Sequence, residues 1–414
     1  MKTTSTILVL IIFTVLFQMV ASGQCATDTV HQHLMQTDSL YARNFSILKS
    51  QVNGAIKSET VNKFHSTVYT IPIVVHVIHV GEPVGTGSNI STAQIQQAIV
   101  GLNNRFRNII GNGVDVEIEF CLASVDPNGN QTSGINRING TVLPRYAAHG
   151  ISLFFNNCDA PSEDSVKDLS KWPVADYYNV WVVNKICQNF NGYVGYANYP
   201  NGGPYDGTVI ASWAMDSLDA TLAHELGHGF FLYHTFEGDG YNLNCPVDTN
   251  CTLDGDNICD TPPHKVADCG SINPCTSSGI WNNSRYNYMS YCSLKTLFTL
   301  GQKNRMRSTA IVYPRLSLLS SQGCGIVGIN NINEDSIVYF YPNPFNDNLR
   351  ITRNTNETLD ISLYDVTSRK IFNQSFTNTT LINTEQLAKG LYLYEVRNRN
   401  REIKKGKVVK DWQV

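Results

Sequence analysis

Near its midpoint the chain runs His224-Glu225-Leu226-Gly227-His228-Gly229-Phe230-Phe231-Leu232-Tyr233-His234, a segment rich in metal-binding side chains. His224 and His228 are four residues apart, so on a helix they share one face, one turn apart. Two imidazoles so placed can hold one zinc ion. Glu225 points to the edge of that face, where it can take a proton from an attacking water as a general base. His234 is the expected third ligand. From an unbroken helix it would sit roughly 80° off His224 and about 15 Å further along the axis. The chain must therefore turn after His228 and come back. The plain alternative is a buried helix that happens to carry histidines, and the third histidine argues against it.

The chain has 414 residues, 42% of them apolar, and a formal charge of -3. That length suits two or three domains, and the charge gives no reason to expect a nucleic-acid partner. Met1-Lys2, the apolar run from Ile7 to Val20 and Ala21-Ser22-Gly23 read as a signal peptide (residues 1–23), with cleavage expected after Gly23. No later stretch is long and apolar enough to expect a stable membrane span. Export makes disulfides the expected state of most of the 11 cysteines. Cys245, Cys251, Cys259, Cys269, Cys275 and Cys292 cluster after the histidine motif, and Cys121, Cys158, Cys187 and Cys324 are more widely spread. Cys25 is the odd one.

Residues 24–66 are polar and weakly patterned, with a helix expected around Ser39 to Lys49. They read as a linker or a pro-segment. The catalytic region, 67–325, opens on the β-branched run Ile71 to Ile78, a buried strand. His76 and His79 in and after it are expected to be sheet residues rather than ligands. Ser91-Thr92-Ala93-Gln94 is a capping box, and Ile95, Ile99, Leu102 and Phe106 follow at helical spacing. Further strands are expected over Val114–Ala123, Tyr177–Val183 and Thr208–Trp213, and Asp219 as the cap of the motif helix. Strands alternating with helices predict a mixed sheet covered by helices. Asp254, Asp256 and Asp260 crowd into one short loop. They read either as a solvated turn or as a calcium site centred on Asp256 and Asp260. From about Gly325 the cysteines stop. Short alternating runs over 335–414 predict a small all-β sandwich, with Arg397 to Lys410 as a solvated strand face.

The segments HELGHGFFLYHTFEG (224–238), GDNICDTPP (255–263), YNYMSYC (286–292) and FTLGQKNRM (298–306) resemble the pappalysin, or cytophagalysin, family of metzincin zinc peptidases. The likeness spans roughly residues 68 to 320. It implies an α+β metzincin-like fold, a mixed sheet with helices above a loop-rich lower subdomain. It implies one catalytic zinc on His224, His228 and His234, with Glu225 as base. Met289 would be the hydrophobic floor of a Met-turn, and Tyr291 a donor to the developing negative charge, worth about 3 kcal/mol. The family's disulfides would pair Cys245 with Cys275 and Cys269 with Cys292. One departure stands out: Phe231 occupies the motif position where the family has glycine. If the turn there is left-handed, a bulky residue costs about 1–2 kcal/mol.

Tyr341-Pro342-Asn343-Pro344-Phe345 and Lys389-Gly390-Leu391-Tyr392 resemble the sorting domain of the type IX secretion system. That likeness implies export by that machinery, then release or cell-surface attachment. The reading is a secreted zinc endopeptidase acting on proteins or peptides, made as a latent zymogen. Its alternative is a catalytically impaired metzincin-fold binding protein, which Phe231 alone favours. In the zymogen, Cys25 is expected to ligate the zinc, with Asp28 as a rival for that place and a disulfide as the other fate of Cys25.

Overall fold

The computed structural model describes residues 24–57, 68–109, 111–153, 158–187, 193–282, 284–292 and 294–324. Beyond these it describes 338–341, 345, 347–353, 358–365, 367, 369–377, 379–397 and 403–410. The signal peptide, residues 58–66 and Pro342 to Pro344 lie outside the described residues. The chain divides into two compact units between Gly325 and Ile326.

The first unit is built on a seven-stranded sheet. Strand β1 is Gln24–Cys25, β2 Tyr69–His79, β3 Ile118–Leu122, β4 Ile135–Asn139, β5 Tyr178–Val183, β6 Tyr193–Ala197 and β7 Gly207–Ala211. The order is β1-β6-β7-β5-β2-β3, with β4 also on β2. All pairs are parallel except β6 with β7. The long strand β2 serves both β3, over Tyr69–Ile73, and β4, over Val75–His79. It is apolar almost throughout, as a strand covered on both faces must be.

Helix α1 is Thr27–Thr37, α2 Ser39–Lys57, α3 Thr92–Phe106, α4 Thr221–Gly229 and α5 Leu300–Ala310. Ser91 caps α3 through its side chain, and Ile95, Ala98, Ile99, Leu102 and Phe106 bury its inner face. That face shares one core with the inner residues of β2, β5 and α4. Each fully buried aliphatic contributes about 1.5–3 kcal/mol, so this shared core is what fixes α4 against the sheet. The expected strand over Val114–Ala123 shortens to Ile118–Leu122, because Glu117 takes φ 59 and breaks the extended run. His76 is a sheet residue: it is buried, its Nε2 lies 2.9 Å from Asn179 Oδ1 and its ring stacks on Trp181.

Residues 24–57 form more structure than their polarity suggested. After β1, helices α1 and α2 lie on the first unit. Tyr41, Phe45, Leu48 and Val52 of α2 form one apolar cluster with Tyr199, Phe231 and Tyr233.

Five disulfides tie the first unit: Cys121–Cys324, Cys158–Cys187, Cys245–Cys275, Cys251–Cys259 and Cys269–Cys292. Three of them staple the loop-rich stretch after α4, which has little regular backbone bonding of its own. Cys25 is free.

The second unit has a four-stranded and a three-stranded antiparallel sheet around one apolar core. Its strands are β8 Val338–Tyr341, β9 Asn348–Arg353, β10 Thr358–Tyr364, β11 Lys370–Thr377, β12 Thr379–Asn383, β13 Gly390–Arg397 and β14 Ile403–Lys410. The alternating runs in the sequence do not announce β12, because β11 ends at Thr377 and β12 begins at Thr379, too close for a cluster of turn residues to separate them. Lys410 departs from the solvated-face expectation: it is buried, and its ammonium donates to the carbonyls of Thr384 and Glu385.

Candidate metal centre

Helix α4 starts where Asp219 accepts the backbone N–H of Thr221, one residue before the cap position taken by Ala220. It carries His224, Glu225 and His228, all buried. Gly227 faces down onto Met289: a Cβ there would meet the methionine sulfur at 2.4 Å, so only glycine lets the two approach. Met289 thus lies directly under the motif helix, on a turn held by Asn287, whose Oδ1 accepts the Met289 N–H and whose amide pairs with Gln302.

The helix ends at Gly229, and the chain reverses through a Schellman motif. The Phe231 N–H donates to the His228 carbonyl at 2.8 Å, and the Leu232 N–H to the Gly227 carbonyl at 2.9 Å. Phe231 takes the left-handed residue of this motif, with φ 69. Its ring is fully buried against Phe45, Tyr199 and Tyr233. The backbone cost expected from the sequence is present, and this packing offsets it. Arg315 closes the turn from beneath: it donates to the Gly229 carbonyl and pairs bidentately with the buried Asp206.

The reversal brings His234 back. The three Nε2 atoms lie 3.1, 3.2 and 3.3 Å apart. Each ring commits its other nitrogen elsewhere. His224 Nδ1 is 2.7 Å from the Tyr288 carbonyl, His228 Nδ1 2.7 Å from the Leu232 carbonyl and His234 Nδ1 2.7 Å from Asp28 Oδ2. A carbonyl only accepts, so in His224 and His228 the proton sits on Nδ1 and Nε2 presents a lone pair. Lone pairs converging in a buried pocket repel unless a cation joins them. A point equidistant from corners so spaced lies about 1.9 Å from each, and zinc to imidazole distances are about 2.0–2.1 Å. Burial pulls His224 well below its ordinary pKa and His228 down to about 3, which keeps the rings neutral and able to ligate.

Cys25 joins them. Its Sγ and the three Nε2 atoms form one group of candidate ligands within 4.8 Å. The Sγ also lies 3.3 Å from Glu225 Oε2 and 3.2 Å from the Thr27 hydroxyl. Cys25 arrives there because β1 lies parallel on β6, Gln24 opposite Tyr193 and Cys25 opposite Gly195. Tyr291 grips the same residue: its hydroxyl accepts the Cys25 N–H at 3.1 Å and donates to the Cys25 carbonyl at 3.4 Å. Asp28, the rival ligand, faces the outer nitrogen of His234 and so stands behind the ring. Burial pushes the Glu225 carboxyl up to about 8 in this closed arrangement, while its contacts with Cys25 and Thr27 pull it back down.

Asp256 and Asp260 are held apart by separate tasks. Asp256 is buried and accepts from the Ile258 N–H and the Thr261 hydroxyl, while Asp260 accepts from the Thr299 hydroxyl and the Gly301 N–H at the start of α5. Neither belongs to a group of converging ligands among the described residues. Asp256 instead lines a small cavity with Asp248 and Asp254.

Residues 161–310 match the family model described as pregnancy-associated plasma protein-A, and residues 339–410 that of a secretion-system C-terminal sorting domain. An extracellular metalloprotease of Podospora anserina is 31% identical over 306 residues, 69% of this chain and 87% of that one. The chain belongs to this metalloprotease family. A second extracellular metalloprotease, from Neurospora crassa, is 25% identical over 69% of this chain and 86% of its own. Among solved structures, a promirolysin mutant of Tannerella forsythia superposes with a TM-score of 0.52 at 26% identity, covering 72% of this chain and 97% of that one. The chain is thus a secreted zinc metallopeptidase with a sorting domain at its C-terminal end. No described helix is long and apolar enough to cross a membrane.

Proposed function

We propose that the described chain is the latent form of this endopeptidase, with one zinc on His224, His228 and His234 and the Cys25 sulfur in the fourth place. The convergence of three Nε2 lone pairs, with the opposite nitrogens of all three rings already engaged, carries this reading. Zinc supplies a Lewis acid for the scissile carbonyl and acidifies the attacking water. The residues do the rest. Glu225, beside the centre, takes the water's proton and passes it to the leaving amine. Tyr291, which now bonds Cys25, is freed when the pro-segment leaves and donates to the developing oxyanion. Gly195 leaves room there: a Cβ would stand 3.2 Å from the Glu225 carboxylate. Residues 24–57 are the described part of the pro-segment of 24–66, ahead of a catalytic domain over 67–325 and a sorting sandwich over 335–414.

The reading of an impaired binding protein rested on Phe231. That residue occupies the left-handed turn without pushing His234 out of reach, and Glu225 and Tyr291 are both in position, which favours the enzyme. For calcium we propose the small cavity lined by Asp248, Asp254 and Asp256, whose carboxylates would close on the ion from separate positions rather than from a preformed cluster, with Asp260 tied to α5. Burial pushes the Asp256 carboxyl up to about 8, a strain that a hard cation would relieve.

One set of measurements on purified activated protein tests these roles: metal content, melting temperature and casein hydrolysis, with zinc-selective and calcium-selective chelators and with Glu225→Gln. Glu225→Gln is expected to keep zinc and lose at least about 10²–10⁴-fold in rate. Hydrolysis within tenfold of the parent would remove Glu225 from its role. A melting curve indifferent to complete calcium loss would remove the calcium site.

A further inference from the structure

Beside the metal centre stands a cation that none of the roles above uses. Lys295 follows the Met289 turn by six residues, on a segment clamped at both ends. Cys292 is tied to Cys269. The Thr296 and Leu297 N–H groups both donate to the Tyr286 carbonyl, and the Leu297 carbonyl accepts the Tyr288 N–H. The side chain that issues from this segment is half-buried. Its ammonium lies 5.9 Å from the centre of the Tyr291 ring, on the residue that grips the Cys25 backbone. That ring is 5.8 Å from His224 and 5.1 Å from His234.

Lys295 is the cation whose field reaches both Glu225 and His224. Yet no carboxylate among the described residues lies within ion-pair distance of it. Asp219, whose charge acts most strongly on it, spends an oxygen on the Thr221 N–H. Burial pulls the Lys295 pKa below its ordinary value, and Asp219 and Glu225 pull it back up. A part-buried ammonium without a hydrogen-bonded carboxylate is costly, and a ligand that supplies one recovers that cost.

The backbone of Cys25 marks where an extended chain lies in this cleft, between the edge of β6 and the Tyr291 hydroxyl. A substrate occupying the same lane places a side chain next to its scissile bond beside Tyr291. We propose that Lys295 selects the substrate: it receives the carboxylate of an Asp or Glu side chain flanking the scissile bond, making the enzyme an endopeptidase for acidic sites. This rests on the peptidase reading above. It also separates Lys295 from the chemistry, since the ammonium reads the substrate while Glu225 moves the proton.

The test compares the activated enzyme on peptides that differ only at the two residues flanking one bond, carrying Glu, Gln, Ala or Lys, with casein hydrolysis as the control. The kcat/KM ratio of the Glu peptide to the Gln peptide is expected to be ~10–100 in the parent, the range for a hydrogen bond to a charged group. It should fall to near 1 in Lys295→Met, be largely kept in Lys295→Arg, and drop below 1 in favour of the Lys peptide in Lys295→Glu. A structural role, or a role in tuning Glu225, would lower the rates on all peptides together and leave the ratio at its parental value, which overturns the proposal. So does a parent ratio near 1. Casein left intact by a zinc-loaded parent overturns the peptidase reading itself, a result distinct from an active enzyme without acidic preference.

Discussion

Replacing Phe231 by glycine opposes two effects of known sign. The left-handed backbone at φ 69 costs a residue with a Cβ about 1–2 kcal/mol, which glycine recovers. The ring is fully buried, and removing a buried phenylalanine costs about 3–5 kcal/mol. The packing loss outweighs the backbone gain, so Phe231→Gly should destabilise the zymogen by about 1–4 kcal/mol. Phe231→Ala loses the same ring and keeps the backbone penalty, so it should be the less stable of the two by about 1–2 kcal/mol. Part of the loss falls on latency. Of the rings touching Phe231, Phe45 belongs to the pro-segment, at 5.4 Å, while Tyr199 and Tyr233 do not. An aromatic pair contributes about 0.5–1.5 kcal/mol beyond its area, and its loss raises the open population of the pro-segment about two- to tenfold. The assay is thermal unfolding of both variants, with the rate at which a protease cuts between Lys57 and Tyr69 in the intact chain. A glycine variant as stable and as latent as the parent would show that the ring contributes no more than the backbone strain it offsets. An alanine variant more stable than the glycine one would show that the turn imposes no backbone strain.

Cys25→Ala should give a precursor that acts or self-processes early, because the fourth place at the metal is then open to water; activity before processing in Asp28→Ala but not in Cys25→Ala would transfer the switch to the aspartate. The pro-segment should also loosen in acid. Burial pulls His31 from its ordinary pKa to about 4, against Asp28, which raises it. An undocked segment binds the proton at about 6.5, so the docked state's advantage is complete above that value and drains as pH falls toward 4, by at most about 3 kcal/mol. Hydrogen exchange in residues 24–57 between pH 7 and 4.5 measures it. His31→Gln, which keeps a partner for the Tyr41 hydroxyl at 2.9 Å in the parent, should flatten the dependence, and an unchanged profile in that variant would place the acid sensitivity elsewhere.

The convergence of the three histidines was legible because their spacing is a geometric statement. Two histidines one helical turn apart, and a third that only a reversal can bring back, leave the chain little choice. The same spacing located the strain at Phe231 but not its remedy. What offsets a left-handed phenylalanine is a helix nearly two hundred residues earlier, and nothing local in 39–57 announces a partner. Its apolar face, Tyr41, Phe45, Leu48 and Val52, has helical spacing, yet the polar residues between them left the segment reading as a linker or a pro-segment with no packing partner. Strand β1 is harder still: two residues long, it exists only because the edge of β6 is there to pair with. The carboxylates misled for the opposite reason. Asp256 and Asp260 are close in sequence, but Asp260 is claimed by Thr299 and Gly301 at the start of α5, some forty residues on. Lys295 shows how far chemistry can stand from a motif that names it. No pattern includes it, and its meaning comes from the turn at Met289 that aims it, the ring of Tyr291 beneath it and the absence of a carboxylate partner among the described residues. A motif fixes which reaction a cleft can run, while the choice of substrate falls to side chains delivered by loops, whose aim only the assembled fold determines.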